Sequence, residues 1–207
     1  MSELVIRAGR VVDPGRGIDR PADLVLRDGR VAGVEPPGTA AVGHGATVVD
    51  AAGGVVLPGL IDLHGHWWDA SPYGVDPLAS LKGGATCAVD AGTAGFGGFE
   101  SFRRHVIERS PVRVLAYLHV AAAGLAASMV GELVDARYAR PVETAEMIEA
   151  HRDVLVGVKV RIGSQACGTN TREALVAALD AAERARVPVM VHIADGADVP
   201  AVLRSLR

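Results

Sequence analysis

Two cysteines in 207 residues, Cys87 and Cys167, are too few for a disulfide framework, and we read a reducing, cytoplasmic compartment from them. No apolar run reaches the roughly 18 residues that a spanning helix needs. The longest low-polarity stretch, around Val120 to Val130, is short and rich in Ala and Gly. The start, Met1-Ser2-Glu3-Leu4, lacks the basic-then-apolar build of a signal peptide. A net charge of −3 carries no electrostatic footprint for nucleic acid or an anionic membrane. There is no repeat of 20–50 residues and no low-complexity segment. What remains is an ordinary globular composition, 49% hydrophobic and 22% charged, with enough length to bury a sizeable core. Gly 25 and Pro 11 imply many tight connections between short elements.

Residues 1–54 read as a small β subdomain. Leu4-Val5-Ile6, Val11-Val12, Ala22–Leu26, Val31–Val34 and Thr47–Val49 are short β-type runs, separated by turn clusters. Asp28-Gly29 between two of them predicts a hairpin, and an antiparallel arrangement is expected. Residues 55–207 change rhythm. Strands are predicted at Val55–Asp62, Ala85–Ala91, Val112–Val120, Val154–Ile162 and Val187–Ala194. Helices are predicted at Pro77–Gly83, Gly98–Arg109, Val142–Arg152 and Thr171–Arg186, with a further one from about Ala197. Ala174, Leu175, Ala178, Leu179 and Ala182 recur at helical spacing in the best of these, which Thr171 can cap and Val187-Pro188 ends. Alternating strands and helices imply parallel strands with crossover helices. The expected fold is α/β: five βα units, part of a (β/α)₈ TIM barrel, behind the N-terminal β subdomain. The count alone also permits a five-stranded doubly wound sheet.

The sharpest chemical signal is Pro58-Gly59-Leu60-Ile61-Asp62-Leu63-His64-Gly65-His66. His64 and His66 sit two apart at a predicted strand end, so both imidazoles face one way and can hold one divalent cation. Two surface histidines near a turn are the plainer alternative. In Val158-Lys159-Val160-Arg161-Ile162 the apolar residues face one way and Lys159 and Arg161 the other. A Lys facing a barrel interior would be desolvated and its pKa depressed, and its neutral amine could add CO₂ to form a carbamate that bridges two cations. An amphipathic strand with a solvated face would show the same alternation. His192 falls at the end of the fifth strand.

In that order on successive strands, these motifs, with Gly84–Gly92 between them, resemble the amidohydrolase superfamily, in particular its dihydroorotase-like and deacetylase-like members. The resemblance covers nearly the whole chain. It implies that His64 and His66 bind the more buried metal, that carbamylated Lys159 bridges two Zn²⁺ ions, and that His192 holds the second. It further implies a metal-bound hydroxide attacking a non-peptide amide (N-acyl or cyclic) or ester. The family adds a His on strand six and a catalytic Asp on strand eight. The chain ends at Arg207, just after strand five, so no catalytic Asp is assigned within it and the expectation is an incomplete fragment. A non-catalytic assembly or regulatory module is the competing reading. The expected partners are a small-molecule amide or ester and further copies of the chain in the full-length form, with no nucleic acid and no membrane.

Four further residues are candidates for the same site. Asp62 could orient His64, Asp90 could line the pocket at the end of strand two, and His119 and Arg161 could touch substrate or form its walls. Cys87 is expected in a strand core and Cys167 in a loop over the site without a catalytic role. Trp67 and Trp68 could shape the pocket mouth or pack as core. His44, His105, His151 and the pair Arg103-Arg104 are expected to face solvent.

Overall fold

The computed structural model describes residues 2–206, which form two compact units that meet between Gly59 and Leu60 in the chain. In the first, β1 (Glu3–Asp13) pairs antiparallel with β2 (Ile18–Arg27), and β2 with β3 (Arg30–Glu35). Asp28 and Gly29 join β2 to β3 with φ of 49° and 75°, the two positive values of the expected tight hairpin turn. The sheet is mixed, however, rather than antiparallel throughout. Residues 36–46 carry the chain back so that β4 (Thr47–Asp50) and β5 (Val55–Val56) run parallel to β1. The predicted strand Val55–Asp62 is therefore two strands. Pro58 has no N–H to give a ladder and Gly59 packs no side chain, so the run breaks there.

Asp23 organises this unit. The β1–β2 register slips between Ile6 and Gly9, where Ala8 takes a φ of 59°. Asp23, fully buried, accepts from Ala8 N at 3.0 Å and from Ala40 N at 3.2 Å. Those N–H donors, that of Ala8 first, hold its carboxyl below the usual carboxylate range in spite of burial. A carboxylate whose folded pKa is depressed stabilises the fold fully above its unfolded pKa, near 3.9, and loses that stabilisation as pH falls through the folded value. Asp23→Ala leaves the buried Ala40 N–H unpaired, at roughly 1–3 kcal/mol, and removes the acceptor of the part-buried Ala8 N–H. Urea melts of this variant should show that loss at pH 7. The gap to wild type should narrow below about pH 4, and a gap that widens in acid would contradict the assignment.

In the second unit β6 (Leu60–Gly65), α1 (Leu78–Lys82), β7 (Ala85–Gly95), α2 (Phe96–His105), β8 (Arg113–His119), α3 (Pro141–Ala150), β9 (Leu155–Ile162), α4 (Ser164–Cys167), α5 (Thr171–Ala185), β10 (Val189–Ile193) and α6 (Val199–Ser205) follow one another. The strands are parallel and ordered β10-β9-β8-β7-β6. A doubly wound sheet reverses its strand order at a switch point. This order never reverses, so the sheet is part of a barrel and the doubly wound alternative is set aside.

Val158, Val160 and Ile162 on β9 pack into the core with Leu118, Phe99, Phe102, Ile148 and the buried face of α5. That face is Ala174, Leu175, Ala178, Ala181, Ala182 and Ala185, mostly small, which brings the helix close to β9. Thr171 does not cap α5. Asn170 precedes it and spends its Nδ2 on the carbonyls of Leu133 and Val134. The edge strand β6 exposes Leu60, Ile61 and Leu63. Cys87 is only half-buried. Two predicted surface groups are drawn inward. Arg103 pairs with Asp153 at 2.8 Å and Glu108 at 3.1 Å, and His151 lies 2.9 Å from Glu100 with its ring 5.0 Å from Phe99. His44 and His105 are exposed, as expected. Among the described residues no helix is long and apolar enough to cross a membrane.

Candidate metal and substrate site

The site is built at the C-terminal ends of the parallel strands, where side chains leave the sheet beside the βα loops. His64 lies on β6 and His66 just beyond it, their rings 5.8 Å apart and edge to face. Asp62 Oδ1 accepts from the His64 backbone N–H at 3.1 Å, so its contact is with the strand backbone rather than the imidazole. The ring of His66 is oriented by two residues of β7. Asp90, fully buried, accepts from Thr93 N at 2.6 Å, Thr93 Oγ1 at 2.7 Å and Trp67 N at 2.9 Å. Burial pushes its carboxyl up, against these donors that pull it down. Two of these contacts come from backbone N–H groups, which only donate, and an ionised Asp90 can accept all three at once. With Asp90 ionised the Thr93 proton goes to Asp90, and the Thr93 oxygen, 3.0 Å from His66 Nδ1, accepts from the Nδ1–H tautomer. That tautomer leaves the Nε2 lone pair of His66 free for a metal.

Lys159 is the central residue. It stands on β9 opposite His119 on β8, and its neighbours leave room only because position 92 is glycine. Gly92 has φ of 85°, and a Cβ there would collide with the Lys159 stem and meet His119 Cβ at 3.6 Å. Lys159 is 1% exposed and its Nζ has no hydrogen-bond partner. Burial above all, with the charge of Arg161 adding to it, brings its pKa down to about 8, against the pull of Asp90. Roughly one molecule in ten then carries the neutral amine at pH 7, far more than an exposed lysine allows.

His119 is fully buried and reaches no solvent; its Nδ1 accepts from Ala121 N at 3.0 Å, which leaves the proton of the neutral ring on an unpartnered Nε2. His192 on β10 pairs in register with Arg161 on β9, and both His192 and His64 are exposed on the two edge strands. Burial, followed by the charge of Lys159, lowers the pKa of all four histidines, to about 4 for His66 and about 3 for His119. Neutral imidazoles are the form that ligates metals.

The donor chemistry suits a divalent cation: imidazoles held neutral, one with a fixed tautomer, and a buried amine lacking a partner. Among the described residues no three His, Cys, Asp or Glu side chains stand together closely enough to hold a metal ion by themselves. Two participants lay beyond the reach of sequence reasoning. Thr93 falls after the predicted end of its strand, and only its spacing of three from Asp90 could have drawn notice. Glu132 lies in the loop between β8 and α3 with no motif around it, yet its Oε1 is 3.2 Å from Arg161 Nε and its side chain is wholly buried. Trp67 and Trp68 pack as core, Trp68 stacking on Phe102 at 5.5 Å. Cys167 is buried in α4 and donates to the Arg161 carbonyl at 3.1 Å.

A parallel half-barrel with histidines, a lysine and an arginine at its strand ends defines a (β/α)-barrel protein with a basic, strand-end site. The model of the amidohydrolase family matches residues 55–203, and the chain belongs to that family. It is 33% identical over 150 residues to a deacetylase of Brucella anthropi, an alignment covering 71% of this chain and 37% of that one. It is 31% identical over 187 residues to a deacetylase of Agrobacterium fabrum, covering 87% and 45%. The chain thus spans less than half the length of these curated relatives. Among solved structures, a dihydroorotase superposes with a TM-score of 0.87 at 27% identity, over 100% of this chain and 55% of that chain. An adenine deaminase at 22% identity shares the fold, with a TM-score of 0.86 over 100% and 54%.

Proposed function

We propose that the protein is a metal-dependent hydrolase of carbon–nitrogen bonds, acting on N-acyl or cyclic amides or on the corresponding esters. The observation that carries this reading is Lys159. A buried amine without a partner, lowered toward neutrality beside neutral imidazoles, is costly to fold and is suited to becoming a carbamate. His64 and His66 would hold one zinc ion, His192 a second, and carbamylated Lys159 both. Bound metal would acidify water and polarise the scissile carbonyl. The chain's own residues do the rest: Asp90 and Thr93 hold the His66 ring, Gly92 admits the Lys159 stem, and burial keeps the amine reactive. The deacetylase and dihydroorotase relatives favour N-acyl amino acids and dihydroorotate as first substrates to try.

The test is zinc content by mass spectrometry and turnover of these substrates by the full-length protein. Chelation should abolish turnover. Alanine at His64, His66, Lys159 or His192 should lower both metal content and rate by more than the roughly 10–100-fold typical of residues that only support a ligand. Unchanged metal content and rate in all four variants would refute the proposal.

A further inference from the structure

Arg161 is the penultimate residue of β9, two beyond Lys159, and is held from one side only. Its Nε faces Glu132, but neither that N–H nor either Glu132 oxygen completes a well-aligned hydrogen bond. Nη1 and Nη2 bond to no described residue, and Arg161 keeps 9% exposure. Both partners are pinned from behind. Leu133 N donates to Ala166 O at 2.8 Å, and Cys167 holds the Arg161 carbonyl. A buried ion pair this poorly bonded has no advantage for stability over apolar residues of the same size, because desolvation offsets its attraction. What the pair does achieve is orientation. With Nε set against Glu132, the two terminal nitrogens are left for another partner, near the end of β9, where His192 stands in register with Arg161 and Lys159 precedes it by two on the same strand.

We propose that Arg161, aimed by Glu132, binds a carboxylate group of the substrate, with Glu132 acting as a positioning residue. The proposal rests on the hydrolase reading for the word substrate, and on the geometry alone for the anion site. A planar fork with two free N–H edges matches a carboxylate bidentately, which a point charge such as lysine does not. The neutral amide of the same acid offers one oxygen and presents its own N–H₂ to the guanidinium.

The experiment compares acetate with its isostere acetamide by titration calorimetry on the metal-free full-length protein, so that bound metal cannot supply the preference. Wild type should favour acetate about ten- to a hundredfold, the range for charge-assisted hydrogen bonds. Arg161→Met should erase the preference and Arg161→Lys restore only part of it. Glu132→Gln should reduce the preference, because the fork is no longer aimed. An effect of charge alone would raise it, and a raised or unchanged ratio overturns the role of Glu132. A preference that survives in Arg161→Met, or is absent from wild type, overturns the site. The ratio of two affinities is unaffected by the fraction of folded protein, so a merely structural defect does not imitate the result. In parallel, the metal-loaded protein is assayed on N-acetylalanine and N-acetylalaninamide together with dihydroorotate and acyl esters. If acetate is held through Arg161 but nothing is hydrolysed, the hydrolase reading fails while the anion site stands.

Discussion

Replacing Lys159 with methionine is expected to raise the melting temperature of the metal-free protein while abolishing its capacity to bind metal. The two side chains are similar in length and stem, so the core around Gly92 and His119 keeps its packing. The difference is the amine. In the native chain Nζ is buried and unpartnered, and leaving such a group without a hydrogen bond costs on the order of 1–3 kcal/mol. Methionine removes that cost, and about 2–4 °C per kcal/mol follows for a chain of this size. Calorimetry in chelator and CO₂-free buffer isolates the effect, since neither carbamate nor metal can then stabilise the wild type. Added zinc should raise the wild-type melting temperature and leave Lys159→Met unmoved. A variant that melts lower than wild type in chelator would show that Nζ has a partner in solution. A variant that still binds zinc tightly would remove Lys159 from the ligand set.

Asp90→Asn should be the most damaging single-atom change to the site. Asp90 faces three donors with two oxygens. An asparagine must turn its N–H₂ toward one side. Facing Thr93 N, it leaves that buried donor unpaired; facing Trp67 N, it leaves that one unpaired and forces the Thr93 hydroxyl to reverse. Either outcome forfeits at least one hydrogen bond to a charged group and strands a buried N–H, about 2–5 kcal/mol together. The second loss is functional. In the orientation whose N–H₂ faces Trp67 N and Thr93 Oγ1, the Thr93 hydroxyl no longer donates to residue 90, so His66 Nδ1–H loses its fixed acceptor and the ring its tautomer. Zinc affinity should fall about 10–100-fold, the usual consequence of removing the group behind a ligating histidine. Competition against a fluorescent zinc chelator measures it. Destabilisation with unaltered zinc affinity would make Asp90 a structural anchor only.

Much of this molecule was readable from local pattern. The His-Gly-His run at a strand end, Lys159 alternating with Val158 and Val160, and the Ala-rich stripe of α5 all follow from periods of 2 and 3.6, which any short segment carries by itself. So does the Asp28-Gly29 turn, whose two positive φ angles those residues tolerate. The mixed first sheet was not readable, because nothing within residues 47–56 states which way they run against β1. Direction is a property of the crossing chain. Nor could alternation alone choose between a doubly wound sheet and a barrel, since both are built from the same βα units and differ only in strand order.

The amino-acid sequence by itself singled out the candidate side chains and the strand on which each sits, because strand-end position and facing are set by neighbours in the chain. Only the tertiary structure decided how those side chains are held. Asp90 reaches Trp67, Glu132 reaches Arg161, and Gly92 accommodates Lys159 across gaps of many residues, and hydrogen bonding and desolvation depend on separation in space rather than along the chain.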